Sequence, residues 1–61
     1  MSKLAEDMVN YRARHKISQS KLAELCGMNV MTINYIERGL QSPTTVTEAK
    51  IRLVINEQEE K

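Results

Sequence analysis

Only two glycines punctuate this chain, and each closes a short amphipathic run that opens on a capping residue. Ser18 precedes Gln19-Ser20-Lys21-Leu22-Ala23-Glu24-Leu25, and Cys26-Gly27 follows. The Ser18 hydroxyl suits an N-cap, and Ile17 stands where a hydrophobic staple residue belongs. Gly27 is free to take the left-handed conformation that ends a helix. Asn29 then opens a second run, Val30 to Arg38, stopped by Gly39. The cap and stop signals predict helices over about 19–25 and 30–38, with Leu22, Ala23 and Leu25 on the buried face of the first.

Two short helices joined this tightly match the helix-turn-helix unit. Upstream, Leu4, Met8 and Tyr11 recur at helical spacing, with Ala5 and Val9 beside them, and predict a helix over 2–14. Ser2 is placed to cap it; Glu6 and Asp7 fall early and Arg12 and Arg14 late, which complements the helix dipole. Downstream, Pro43 disfavours helix at Ser42, so 40–43 reads as a loop. Thr44, Thr45 and Thr47 all offer capping hydroxyls; Thr45 with Glu48 has the capping-box spacing, and Thr47 is the rival start. Ile51, Val54 and Ile55 then form the inner stripe of a helix from 45–48 to 57, with Leu53 pointing away from it. Lys50–Ile55 is β-branched and partly alternating, as a strand would be, but a lone strand has no partner here. The fold class expected is all-α: a compact bundle of four helices, or five, in one domain over 1–58 with a disordered tail at 59–61.

With 61 residues and 3% aromatic content, the core has to be aliphatic. A chain of this size buries only ~60% of its unfolded surface. One Cys and one His cannot build a structural zinc site or an internal disulfide. Cys26 reads as a small buried apolar residue, and His15 as a helix-end residue. No apolar run spans a membrane, and the free Cys without a signal peptide favours the cytosol. An enzyme is a poor fit, since there is no nucleophile–base pair or metal set. Nothing points to a cofactor, a metal or a small-molecule ligand.

Net charge is only +1, but residues 11–52 carry +4 and the ends −3, a distribution that suits a polyanionic partner. Neither central helix has an acid in its first turn, whereas the outer two have Glu6 and Glu48. Helix starts carry partial positive charge and unpaired N–H groups, so both central helices stay open to an external anion around Ser18 and Asn29. The alternative is that Ser18 and Asn29 satisfy those starts themselves. At 100° per residue, Ile33 and Ile36 set the inward direction of 30–38. Met31, Asn34, Tyr35 and Arg38 then face outward, with Val30 and Thr32 on the flanks. Amide, hydroxyl and methyl groups are the groups that read a major groove. Glu37 follows Ile36 into the body of the domain, and its expected partner is Arg12.

Taken together, these residues resemble the lambda-repressor/Cro family of helix-turn-helix proteins, also called the xenobiotic-response-element type. The resemblance runs from about Met8 to Ile55. It rests on Tyr11-Arg12, Ile17-Ser18-Gln19, Lys21-Leu22-Ala23, Cys26-Gly27-Met28, Ile33, Ile36-Glu37-Arg38-Gly39 and Pro43. It implies a four- or five-helix bundle that binds double-stranded operator DNA as a transcriptional regulator, usually as a homodimer. It implies that Val30, Met31, Thr32, Asn34 and Tyr35 lie in or along the major groove. Ser18, Gln19, Lys21, Asn29, Arg38 and Gln41 fall at the sugar-phosphate backbone, and Arg12–Glu37 matches an internal ion pair of the family. Two departures stand out. Val30 and Met31 replace the amide or basic side chains common at the start of the recognition helix, and no fifth helix is evident. A second function also fits the pattern: a protein-interaction module, antitoxin-like or sequestering another regulator, with Val30, Met31 and Tyr35 as its docking surface.

Overall fold

Four helices follow in order: α1 (Lys3–His15), α2 (Gln19–Cys26), α3 (Val30–Arg38) and α4 (Thr45–Glu59). The structure, a computed structural model, describes residues 3–59. All described elements are helical, as expected, and no fifth helix occurs among the described residues. The expected cap Ser2 and the end of the expected tail, Glu60 and Lys61, lie outside the described residues. Of that tail, Glu59 belongs to α4. The helix continues past 57 because Glu57, Gln58 and Glu59 are adequate helix formers with no breaker among them.

Each helix contributes to one aliphatic core. Met8, Leu22, Ile33 and Ile51 are fully buried, joined by Leu4, Tyr11, Ala23, Cys26, Ile36 and Ile55. Ile17, Met28 and Val54 pack against its rim. Burying one such side chain contributes roughly 1.5–3 kcal/mol. Helix α2 packs on α3, α1 on both α3 and α4, and α2 on α4. His15 stacks on Tyr11 with ring centroids 4.3 Å apart. Burial pushes the Cys26 thiol up, so at neutral pH it stays protonated and serves as a small core residue.

Two details differ from the sequence reading. Leu25 is 42% exposed, and Cys26 takes the inward place. The helix runs one residue further than expected, so its buried stripe is Leu22, Ala23 and Cys26, and Leu25 falls at its edge. At α4 the cap is neither Thr45 nor Thr47 but Thr44. Its Oγ1 accepts from the Thr47 N–H at 3.2 Å and donates to Thr47 Oγ1 at 3.1 Å. Its carbonyl takes the first helical bond, from the Glu48 N–H at 2.9 Å. Thr44 is the first hydroxyl after Pro43, and it becomes the cap.

Helix ends are closed by left-handed residues. Gly27 (φ 69°) donates to Glu24 O, and Met28 to Ala23 O at 2.9 Å; Gly39 (φ 76°) ends α3 in the same way. Helix α1 ends likewise, with Ile17 N–H donating to Arg12 O at 3.1 Å, but its left-handed residue is Lys16 (φ 55°). A side chain there costs on the order of 1 kcal/mol relative to Gly. Lys16→Gly should therefore raise stability by ~1 kcal/mol and Tm by about 4–8 °C. Gly39→Ala, where an added Cβ meets nothing within 4 Å, should lower it by a similar amount through conformation alone. Thermal melts of the two variants check both signs.

Helices α1 and α4 are also tied by charge. Arg52 Nη1 donates to Asp7 Oδ2 at 2.8 Å, Lys3 lies 3.6 Å from Asp7, and Arg52 Nε approaches Glu48 at 3.5 Å. The Arg52 hydrogen bond holds the Asp7 carboxyl below its ordinary value of 3.8. A carboxylate whose folded pKa is depressed contributes stability above its unfolded pKa, and that contribution is lost as pH falls through the folded one. Between about pH 5 and pH 2, wild type should lose more stability than Asp7→Asn. Urea midpoints across that range should converge at the acid end.

Candidate nucleic-acid interface

Helix α3 is held from both ends and from below. Asn29 (ψ 142°) caps its start, its Oδ1 accepting from the Met31 N–H at 2.7 Å, and Gly39 turns the chain away at its end. Ile33, Ile36 and Glu37 face inward. What remains outward is Val30 and Tyr35, each 36% exposed, Met31 at 48%, and Arg38. Thr32 and Asn34 are half-buried at the flanks. Of the residues expected outward from the helical wheel, Met31, Tyr35 and Arg38 are exposed, whereas Asn34 is half-buried against Gln19; Val30, expected at a flank, is exposed instead.

Glu37 carries the one buried charge of the described residues, at 7% exposure. Arg12 grips it with a fork: Nε donates to Oε2 and Nη2 to Oε1, both at 2.8 Å. Arg12 Nη1 also donates to Ile17 O at 3.3 Å, so one guanidinium joins α1, the turn before α2, and α3. The expected ion pair is present. Sequence reasoning missed what extends from it. Gln19 Nε2 donates to Glu37 Oε1 at 2.9 Å, and Asn34 Nδ2 donates to Gln19 Oε1 at 3.1 Å. Four side chains from three helices form one continuous run, Arg12–Glu37–Gln19–Asn34, with each inner partner satisfied. The residues of the two further contacts are 18 and 15 positions apart, so no local spacing announces them. The nearest signal was Gln19 standing at the first helical position after its cap.

The candidate backbone-contact residues fall into three situations. Ser18 and Asn29 spend their side chains as caps, Ser18 Oγ accepting from the Lys21 N–H at 3.1 Å. Both helix starts lack an acid in the first turn, as the sequence indicated. Gln19 is held inside the amide run. Lys21 is exposed and meets Glu24 loosely at 3.8 Å, while Arg38 and Gln41 are exposed at the end of α3 and just beyond it. The charge balance also changes once structure is considered. Two of the cations behind the +4 of the middle block, Arg12 and Arg52, are bound to carboxylates 2.8 Å away. The electrostatic attraction for a polyanion therefore rests on fewer groups than the sequence count suggests.

Elsewhere, a shallow polar depression lined by Asp7, Asn10, Arg14, Ile55 and Asn56 lies between α1 and α4, and includes no residue of α2 or α3. Among the described residues no cluster of His, Cys, Asp or Glu is arranged to hold a metal ion. No helix is long and apolar enough to cross a membrane.

A family model described as "Helix-turn-helix" matches residues 9–51, which takes in α2, the Gly27 turn, α3 and parts of α1 and α4. The chain belongs to the lambda-repressor (xenobiotic-response-element) type of helix-turn-helix family, a class of DNA-binding transcription-regulator domains. Neither the curated proteins nor the solved structures contain a match to it.

Removing one member of the buried pair should cost more than removing both. Glu37→Leu strands the Arg12 guanidinium and should destabilise by roughly 3 kcal/mol, near the low end of the range because Arg12 retains some exposure. Arg12→Met with Glu37→Leu replaces the pair by packed apolar groups and should lose less than either single change. A double-mutant cycle by urea denaturation measures the difference.

Proposed function

We propose that this domain binds double-stranded operator DNA sequence-specifically, with α3 in the major groove, as a repressor of phage, plasmid or mobile-element type. The observation that carries the reading is α3 itself. It is capped at both ends and anchored from beneath by Glu37, and it offers Val30, Met31 and Tyr35 on its free side, with Thr32 and Asn34 half-buried at the flanks. A rigid helix with a mixed outer face is what groove reading requires. Asn34 supplies the amide for base edges, while Val30 and Met31 supply contact to thymine methyls. With few donors at the start of α3, DNA shape carries part of the choice.

The backbone contacts come from Gln19, Lys21, Arg38 and Gln41, and from the main-chain N–H groups at the starts of α2 and α3 around Ser18 and Asn29. Two copies on DNA place their α3 helices in successive major grooves, roughly 34 Å apart. Leu40 and Leu53, both largely exposed, are among the apolar groups available for such a pairing. One specific observation favours a second reading, a protein-interaction module: Val30, Met31 and Tyr35 are themselves exposed apolar groups on one face.

Selection from a random duplex pool at two salt concentrations tests both. DNA binding falls steeply with salt, whereas an apolar protein contact does not. A palindromic consensus supports the dimer. On the selected duplex, Asn34→Ala should lose roughly 1–3 kcal/mol and relax preference at one base pair. Lys21→Ala and Arg38→Ala should weaken all duplexes alike and each reduce the salt slope by about 1. Unaltered operator discrimination in Asn34→Ala would remove Asn34 from the reading face.

A further inference from the structure

We propose that Glu37 is a positioning residue for base recognition: through Gln19 it fixes the direction in which the Asn34 carboxamide is presented. The proposal rests on the reading of Asn34 as a base-contacting residue. The argument is one of donors and acceptors. The Glu37 carboxylate, forked by Arg12 at 2.8 Å on both oxygens, can only accept. Gln19, 2.9 Å from it, must therefore turn its Nε2 amino group toward Glu37. Its Oε1 is then the atom left facing α3, and an oxygen can only accept. Asn34, 3.1 Å away, must in turn offer its Nδ2 amino group to Gln19.

The consequence lies on the free side of Asn34. One amino hydrogen is committed inward. Oδ1 takes no hydrogen among the described residues and, with the second amino hydrogen, is what Asn34 can show to a partner. A reversed amide would set Oδ1 against Gln19 Oε1, two acceptors with no proton between them. The buried charge thus selects one of two amide orientations at a half-exposed position one turn earlier on the same helix. A carbonyl oxygen left without an internal donor seeks a base that carries a major-groove amino group, adenine N6 or cytosine N4, and adenine also supplies N7 for the second amino hydrogen. Oriented the other way, Asn34 would meet the acceptors of guanine and thymine equally well.

Glu37→Gln tests this, because the new carboxamide can donate or accept and so releases Gln19 to turn over. Gln19→Met is the companion variant: it cuts the run while leaving the Arg12–Glu37 fork intact, and it reports if Glu37→Gln does not fold. The probe is a duplex enriched by wild type from a random pool, with all four bases placed at the position whose preference Asn34→Ala removes. Wild type should favour adenine or cytosine there over guanine or thymine on the order of 10–100-fold. Glu37→Gln and Gln19→Met should reduce that preference to within about threefold and admit guanine or thymine. Preference at the other positions should stay in place, which mere loosening of the fold would not do. In the free protein both variants should shift the Asn34 side-chain amide resonances. If Asn34→Ala abolishes the preference and neither variant changes it, the positioning role is wrong while the reading of Asn34 stands. If Asn34→Ala changes no position, that reading fails and this proposal falls with it.

Discussion

The fork between Arg12 and Glu37 is the interaction on which the arrangement of this domain depends. Burying a carboxylate in so small a core is costly unless its charge is matched and its lone pairs are filled, and here both conditions are met. Hydrophobic contact alone would leave α3 free to slide or rotate on an aliphatic surface, because methyl groups are tolerant of small displacements. A two-bond guanidinium–carboxylate contact is not tolerant, since its geometry is planar and directional. The pair sets α3 against α1, and the third Arg12 bond brings the turn before α2 into the same lock.

The rigid outer face of α3 follows from that lock. The caps at Asn29 and Gly39 define where the helix begins and ends, and Ile33 and Ile36 define which side is inward. Neither sets the position of the half-buried amides. That comes from the run through Gln19, which carries the constraint from a buried charge to the flank of the exposed face. Polar networks of this kind are valuable only when every member is satisfied, and no buried side-chain donor or acceptor among the described residues lacks a partner.

Charge has two roles in the molecule, and the sequence does not separate them. Arg52 joins α4 to α1 through Asp7, as Arg12 joins α1 to α3 through Glu37, and both are structural. Lys21 and Arg38 remain exposed on the two helices of the central unit. A linear count treats all of these as equal contributions to a basic surface. The helix starts are a subtler source of positive potential, and the lack of acids at α2 and α3 was legible from composition at those positions.

The sequence by itself determined where the helices lie, the two glycine-closed turns, the inward stripes and the pairing of Arg12 with Glu37. The helices, turns and stripes follow from short-range rules: a capping oxygen, a residue able to reach positive φ, apolar groups recurring every three or four positions; the pairing followed from an acid set beside the inward Ile36, which needs a cation. Its errors came where local rules tie. Leu25 was expected inward with Leu22 and Ala23 and lies exposed, while Cys26 is buried as expected; and three threonines offered one cap, which Thr44 takes. Only the tertiary structure decided how Gln19 and Asn34 join the buried pair. Those contacts link residues far apart in the chain, and the crossing of α1, α2 and α3 brings their donors within 3 Å or so, a distance no local spacing encodes.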